Sequence, residues 1–218
     1  MTVLSALLRA APLVMLAAPP MTFETALEAA PAFCTALQNG NPPPTLSQFV
    51  STSAGARGFF VHYLTGDEYV CADAPTPPEA LLEACKQSNK DVREIMLMNV
   101  VMSAATALAH ERAGNDAQAA TAKRTSTRAS ILVNALWEDF EPACRALKAA
   151  VAAERGVTVL FTEDGAERNG GEGETGDSAI VLPVDAEAAV DEWSAFITRW
   201  MYDDKQLSRI DTALASLG

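Results

Sequence analysis

The sequence predicts an all-α fold, a multi-helix bundle of orthogonal and antiparallel packing, on three observations. Of the 218 residues, 49% are hydrophobic and many are alanine, which favours helix and buries little area, so Leu, Met, Phe and Trp must carry the packing. Apolar residues recur at the helical period in successive segments separated by capping residues, Gly and Pro. Residues 95–110, IMLMNVVMSAATALAH, contain no Asp, Glu, Lys or Arg, and Asn99, Ser103, Thr106 and His110 recur at steps of four, three and four. That is a buried helix with one polar seam, which a neighbour, a ligand or water must satisfy.

The elements follow in order. Residues 1–20 hold one Arg, no acid and an apolar run broken by Pro12, too short to span a bilayer, and read as a targeting or disordered extension. Residues 21–218 form the expected single helical domain. Thr22 caps a first helix whose stripe is Phe23, Leu27, Ala30, Cys34 and Leu37, with a kink at Pro31. Thr45 with Gln48, and Thr76 with Glu79 and Pro77, have the spacing of capping boxes that open the next helices, on either side of a helix over residues 54–64. The central helix starts at Val92 and ends near Gly114; with the helix that Asp116 opens, it makes an antiparallel hairpin. A helix over residues 142–155 ends at Gly156.

The β-like runs are short, residues 157–161 and 180–184, and flank glycines and acids without period, so a small β-hairpin around a disordered acidic loop, residues 162–179, is expected. Two amphipathic helices close the chain, with Trp193, Phe196, Ile197 and Trp200 on the first; Asp203 and Gln206 provide a capping box between them.

The formal charge of −12 disfavours sequence-independent nucleic-acid binding, which needs cations to displace phosphate counterions. Residues 156–192 hold ten acids against Arg168, a net −9, which leaves −3 for the rest. The acidity is therefore one surface feature. Cys34, Cys71, Cys85 and Cys144 form no CxxC, and the histidines are His62 and His110, so no zinc or iron–sulfur spacing exists and no cofactor is expected. Charges at Arg93, Glu94, Glu111 and Arg112 close the central helix below membrane-spanning length.

The densest chemical cluster is residues 55–67, GARGFFVHYLTGD, where Arg57 could clamp an anion and His62 act as acid or base with Asp67 nearby. With Phe60 and Tyr63 and the seam of Asn99, Ser103, Thr106 and His110, it gives the candidate ligand-binding set. Lys123, Arg124 and Arg128 make a basic patch without interleaved aromatics, which suits an acidic protein partner better than nucleic acid, and Trp193 and Trp200 extend the candidate partner surface.

GARGFFVHYLTGDE, MNVVMSAATALAHERAG and FITRWMYDD resemble an uncharacterised helical protein family of cyanobacteria and plastids, with a departure in the acidic loop, where that family has a shorter connection. The resemblance implies a chloroplast location, with the cytoplasm as the alternative, and supplies no catalytic residues. The expected function is a non-enzymatic adaptor or assembly-type protein acting on a protein partner. Small-molecule or pigment binding is the second reading, and an enzyme using Arg57, His62 and Asp67 the third.

Overall fold

The structure, a computed structural model, describes residues 21–163 and 179–218; the expected extension over residues 1–20 and most of the expected acidic loop lie outside the described residues. Nine α-helices and two strands follow among them: α1 (Phe23–Gln38), α2 (Leu46–Val50), α3 (Ser53–Thr65), α4 (Glu79–Lys86), α5 (Lys90–Arg112), α6 (Asp116–Ala135), α7 (Trp137–Glu154), β1 (Val159–Thr162), β2 (Ile180–Pro183), α8 (Glu187–Trp200) and α9 (Asp204–Ala215). The fold is predominantly all-α, as the sequence predicts.

Local chemistry sets the helix ends. Thr22 accepts from the Thr25 N–H and Asp203 from the N–H groups of Lys205 and Gln206, each completing a capping box, so the sequence reading holds at both. It fails at two others. Thr45 has ψ of 1°, not the extended backbone an N-cap needs, and makes no capping bond. At α4 the N-cap is Pro78 rather than Thr76, because a proline at 78 bars Pro77 from the helical region. α7 starts at Trp137, five residues before the expected Pro142, which the first turns of the helix contain. Only one carbonyl, that of Glu138, loses its helical donor there.

α1 and α3 lie side by side in the same direction, with Thr52 beside Met21 at one end and the Cys71 N–H donating to the Gln38 side chain at 2.9 Å at the other. Gly58 makes their approach possible: a Cβ there would sit 2.6 Å from the Ala26 carbonyl carbon and 2.8 Å from the Leu27 nitrogen. α5 and α6 form the expected antiparallel hairpin, and Ser126 on α6 donates to the Val100 carbonyl at 2.8 Å across it. α9 packs on α5 and α8 on α7. One connected set of buried side chains runs from Ala26 to Leu217, with Phe59 stacked on Tyr63 at 5.2 Å.

The strand pair differs from the expected hairpin. β1 and β2 are parallel, Val159 opposite Ile180 and Thr162 opposite Pro183. A hairpin needs an immediate reversal, whereas the connection over residues 163–179 exceeds the dozen or so residues that let a chain return to the start of a parallel neighbour.

α5 is also less enclosed than expected. Its core face is buried at Val92, Ile95, Met96, Leu97, Val100, Val101, Ala104, Ala105 and Ala107, but Thr106 is exposed, and Asn99, Ser103 and His110 are half-buried. The seam is a solvent edge. Because the charged residues at both ends are helical too, α5 has 23 residues and is long and apolar enough to cross a membrane by length and composition; half of its most apolar window is buried inside the protein.

Candidate functional site

The expected ligand-binding residues fall into separate environments. Arg57 is exposed on α3, whereas Phe60 and Tyr63 are buried in the core. Burial, and next the neighbouring Cys71, push the Tyr63 phenol up from its ordinary value. His62 turns to α1, where Nε2 lies 3.1 Å from the Leu27 carbonyl oxygen. Pro31, four residues beyond Leu27, has no N–H to offer that oxygen, so the imidazole replaces the missing helical bond. Asp67 pairs with Arg124 on α6. Arg57, His62 and Asp67 thus face three different surroundings. On α5, the Asn99 amide donates back to the Ile95 carbonyl at 2.8 Å; the grooves between α5, α6 and α9, between α7 and the β2–α8 segment, and between α5 and α8 are lined by none of the eight candidate ligand residues.

The basic patch is largely structural. Arg128 is only 1% exposed and so offers no surface. Its Nε and Nη2 each donate to Asp73 at 2.7 Å, and Nη1 reaches the carbonyls of Tyr63 and Gly66 at 3.2 and 2.7 Å. Arg124, one turn earlier, donates to the Thr65 carbonyl at 3.0 Å. The last carbonyls of a helix lack intrahelical donors and carry its negative pole, so two guanidinium groups cap α3 and complement its dipole. The fork also holds the Asp73 carboxyl below its usual range. Lys123 binds Glu111 on α5 at 2.6 Å. The signal in the sequence is position: Arg128 lies on the apolar stripe of Thr125, Ala129 and Leu132, where a solvated cation would not sit.

The cysteines divide between core and turn. Cys34, Cys85 and Cys144 are buried, and desolvation pushes each thiol up to about 12; Cys71, in the turn over Val70–Asp73, is half-buried.

The aromatic residues of α8 make the clearest outward-facing feature. Trp193, Phe196 and Trp200 form one stripe, Trp193 meeting Phe196 edge-on at 5.6 Å and Phe196 lying 6.5 Å from Trp200. The stripe runs from inside to outside: Trp193 is 6% exposed and leaves the candidate surface, Phe196 is half-buried, and Trp200 is 48% exposed. Met201 follows, 86% exposed, with φ of 47° and ψ of 47°. A left-handed backbone disfavours any side chain, by about 1–2 kcal/mol, and glycine is the usual occupant of that helix-ending position. Beside the stripe, between α5 and α8, lies a groove of about 280 Å³ with Met98, Trp193 and Phe196 in it and Glu94, Glu192 and Arg199 at its rim. Lys90 binds both Glu94 and Glu192, at 3.2 and 2.6 Å, and so fixes the two helices at one end. An apolar centre with a charged rim is the composition of a protein interface, and Trp and Arg dominate the binding energy of such surfaces.

Residues 22–165, from the cap of α1 through β1, match the family described as Uncharacterised conserved protein UCP020893. No curated protein and no solved structure matches the chain.

Proposed function

The chain belongs to this uncharacterised conserved protein family, and we propose that it is a non-enzymatic adaptor or assembly-type protein that engages a protein partner through the exposed end of α8. The observation that carries the reading is the step from Trp200 to Met201: two large apolar side chains stand in solvent, the second on a backbone that L-residues avoid. Local strain retained where a glycine would relieve it points to a role outside folding. Further support comes from the polar groups with chemical potential, since His62, Asp67, Arg124 and Arg128 are occupied in holding helices together. The partner is a protein with a complementary apolar patch and charges that meet the rim of Glu94, Glu192 and Arg199. A plastid is the compartment proposed, on the resemblance of the chain's motifs alone, and a fluorescent fusion of the full chain tests it.

The experiment is proximity labelling with the full chain in its own cell, comparing it with Trp200→Ser. Trp200 is exposed and the substitution leaves circular dichroism unchanged, so the reading expects a small set of labelled neighbours to drop out. An unchanged set of neighbours refutes it.

A further inference from the structure

A second groove, of about 310 Å³, lies between α5, α6 and α9 on a surface that the α8 reading does not use. Its floor is apolar, made by Ala104 and Ala107 of α5 and Ala213 of α9, and one end holds two cations, Lys123 and Arg209. Both reach the same carboxylate: Lys123 Nζ lies 2.6 Å from one Glu111 oxygen and Arg209 Nη2 3.2 Å from the other. Two positive charges against one negative leave that end with a net positive charge. Each cation spends one donor on Glu111, while an ammonium carries three N–H groups and a guanidinium five.

The walls carry hydroxyls with a shared property. Ser126 donates to the Val100 carbonyl, Ser130 to that of Ser126, Thr212 to that of Ser208 and Ser216 to that of Ala213, at 2.6–2.9 Å. A hydroxyl has one proton and two lone pairs, so these four have given up their proton to a helix carbonyl and meet a ligand as acceptors. The groove therefore offers donors at one end, acceptors along the sides and an apolar floor.

From this geometry we infer that the groove between α5, α6 and α9 binds a small hydroxylated anion, of the size and character of a monosaccharide phosphate or sugar acid. The anionic group bonds Lys123 and Arg209, the ligand's hydroxyls donate to the serine and threonine oxygens, and the C–H face of the carbon skeleton lies on the alanines. The volume, at the lower end of small-molecule sites, about 300 Å³, suits a ligand of monosaccharide size.

The test is isothermal titration of the full chain, with its melting temperature as a second readout, against glucose 6-phosphate, gluconate, inorganic phosphate and glucose. Saturable binding and a raised melting temperature are expected with glucose 6-phosphate or gluconate, and the tighter of the two identifies phosphate or carboxylate as the anionic group. Inorganic phosphate binds at least about tenfold more weakly and glucose does not bind, since each lacks one half of the recognition. Lys123→Gln leaves Glu111 held by Arg209 and weakens binding of the hydroxylated anion about tenfold, the effect of one charge-assisted bond. Thr212→Val weakens it while leaving the affinity for inorganic phosphate unchanged. Absence of saturable binding by both hydroxylated anions overturns the inference. So does equal binding of glucose, equal binding of inorganic phosphate, or an affinity that neither substitution changes.

Discussion

His62 supplies to Leu27 the hydrogen bond that Pro31 denies it: Nε2 lies 3.1 Å from the Leu27 oxygen, and because a carbonyl only accepts, the proton sits on Nε2. The residue with the most catalytic promise in the sequence thus replaces a backbone hydrogen bond that proline removes from α1. His62→Ala leaves the carbonyl without a protein donor and costs about 1–2 kcal/mol in urea unfolding. In a chain carrying Pro31→Ala, which restores the helical N–H, the same substitution costs less than half as much. Equal costs in the two backgrounds contradict the compensation.

Arg128 is the keystone of the α3–α6 contact. Arg128→Met strips the donors from the carbonyls of Tyr63 and Gly66 and leaves Asp73 unpaired, a loss of about 3 kcal/mol or more by chemical denaturation. Arg128→Lys recovers little, because an ammonium cannot present a planar fork to Asp73 and carbonyls to its other side at once. A lysine variant of natural stability removes the argument from geometry.

Gly58 is required by proximity. Gly58→Ala puts a methyl group 2.6 Å from backbone that cannot turn aside, so α1 and α3 must separate, at a cost of about 1–3 kcal/mol despite alanine's better helix propensity. A melting temperature equal to that of the natural chain rejects the close approach.

Acid sensitivity is expected at the joint between α5 and α9. Asp203 caps α9 and also accepts two bonds from Arg112; the guanidinium first, and then the capping N–H of Gln206, hold its carboxyl down at about 2. Its folded-state value is depressed, so its contribution is present above the unfolded carboxyl value, about 3.9, and is lost as pH falls from there through about 2. The stability gap between the natural chain and Asp203→Asn closes over that window. Both side chains are exposed, so salt also narrows the gap at neutral pH. A gap that stays constant from pH 7 to pH 2 contradicts the assignment.

What was legible in the sequence follows from what periodicity encodes. The helical repeat of apolar residues gave the all-α class, the α5–α6 hairpin and the caps at Thr22 and Asp203, because each depends on neighbours within a turn. It could not tell which polar residues face inward. Arg128 and Arg124 read as a patch on one helix, and their real partners are carbonyls some 60 positions earlier. The stripe of Trp193, Phe196 and Trp200 was visible, but only the tertiary packing around α8 decides that Trp193 is covered and Trp200 is not. Strand direction was equally hidden: residues 157–161 and 180–184 show extended character, while their parallel register depends on how the chain returns between them.

On the proposed function, the end of α8 gives up stability to present an apolar surface. The most direct measurement combines urea unfolding and proximity labelling of one variant, Trp200→Ser with Met201→Gly. Glycine removes the left-handed strain at the exposed Met201, so unfolding free energy rises by about 1 kcal/mol relative to Trp200→Ser alone, while labelled neighbours are lost relative to the natural chain. A variant that is no more stable than Trp200→Ser alone, or that keeps every neighbour, contradicts it.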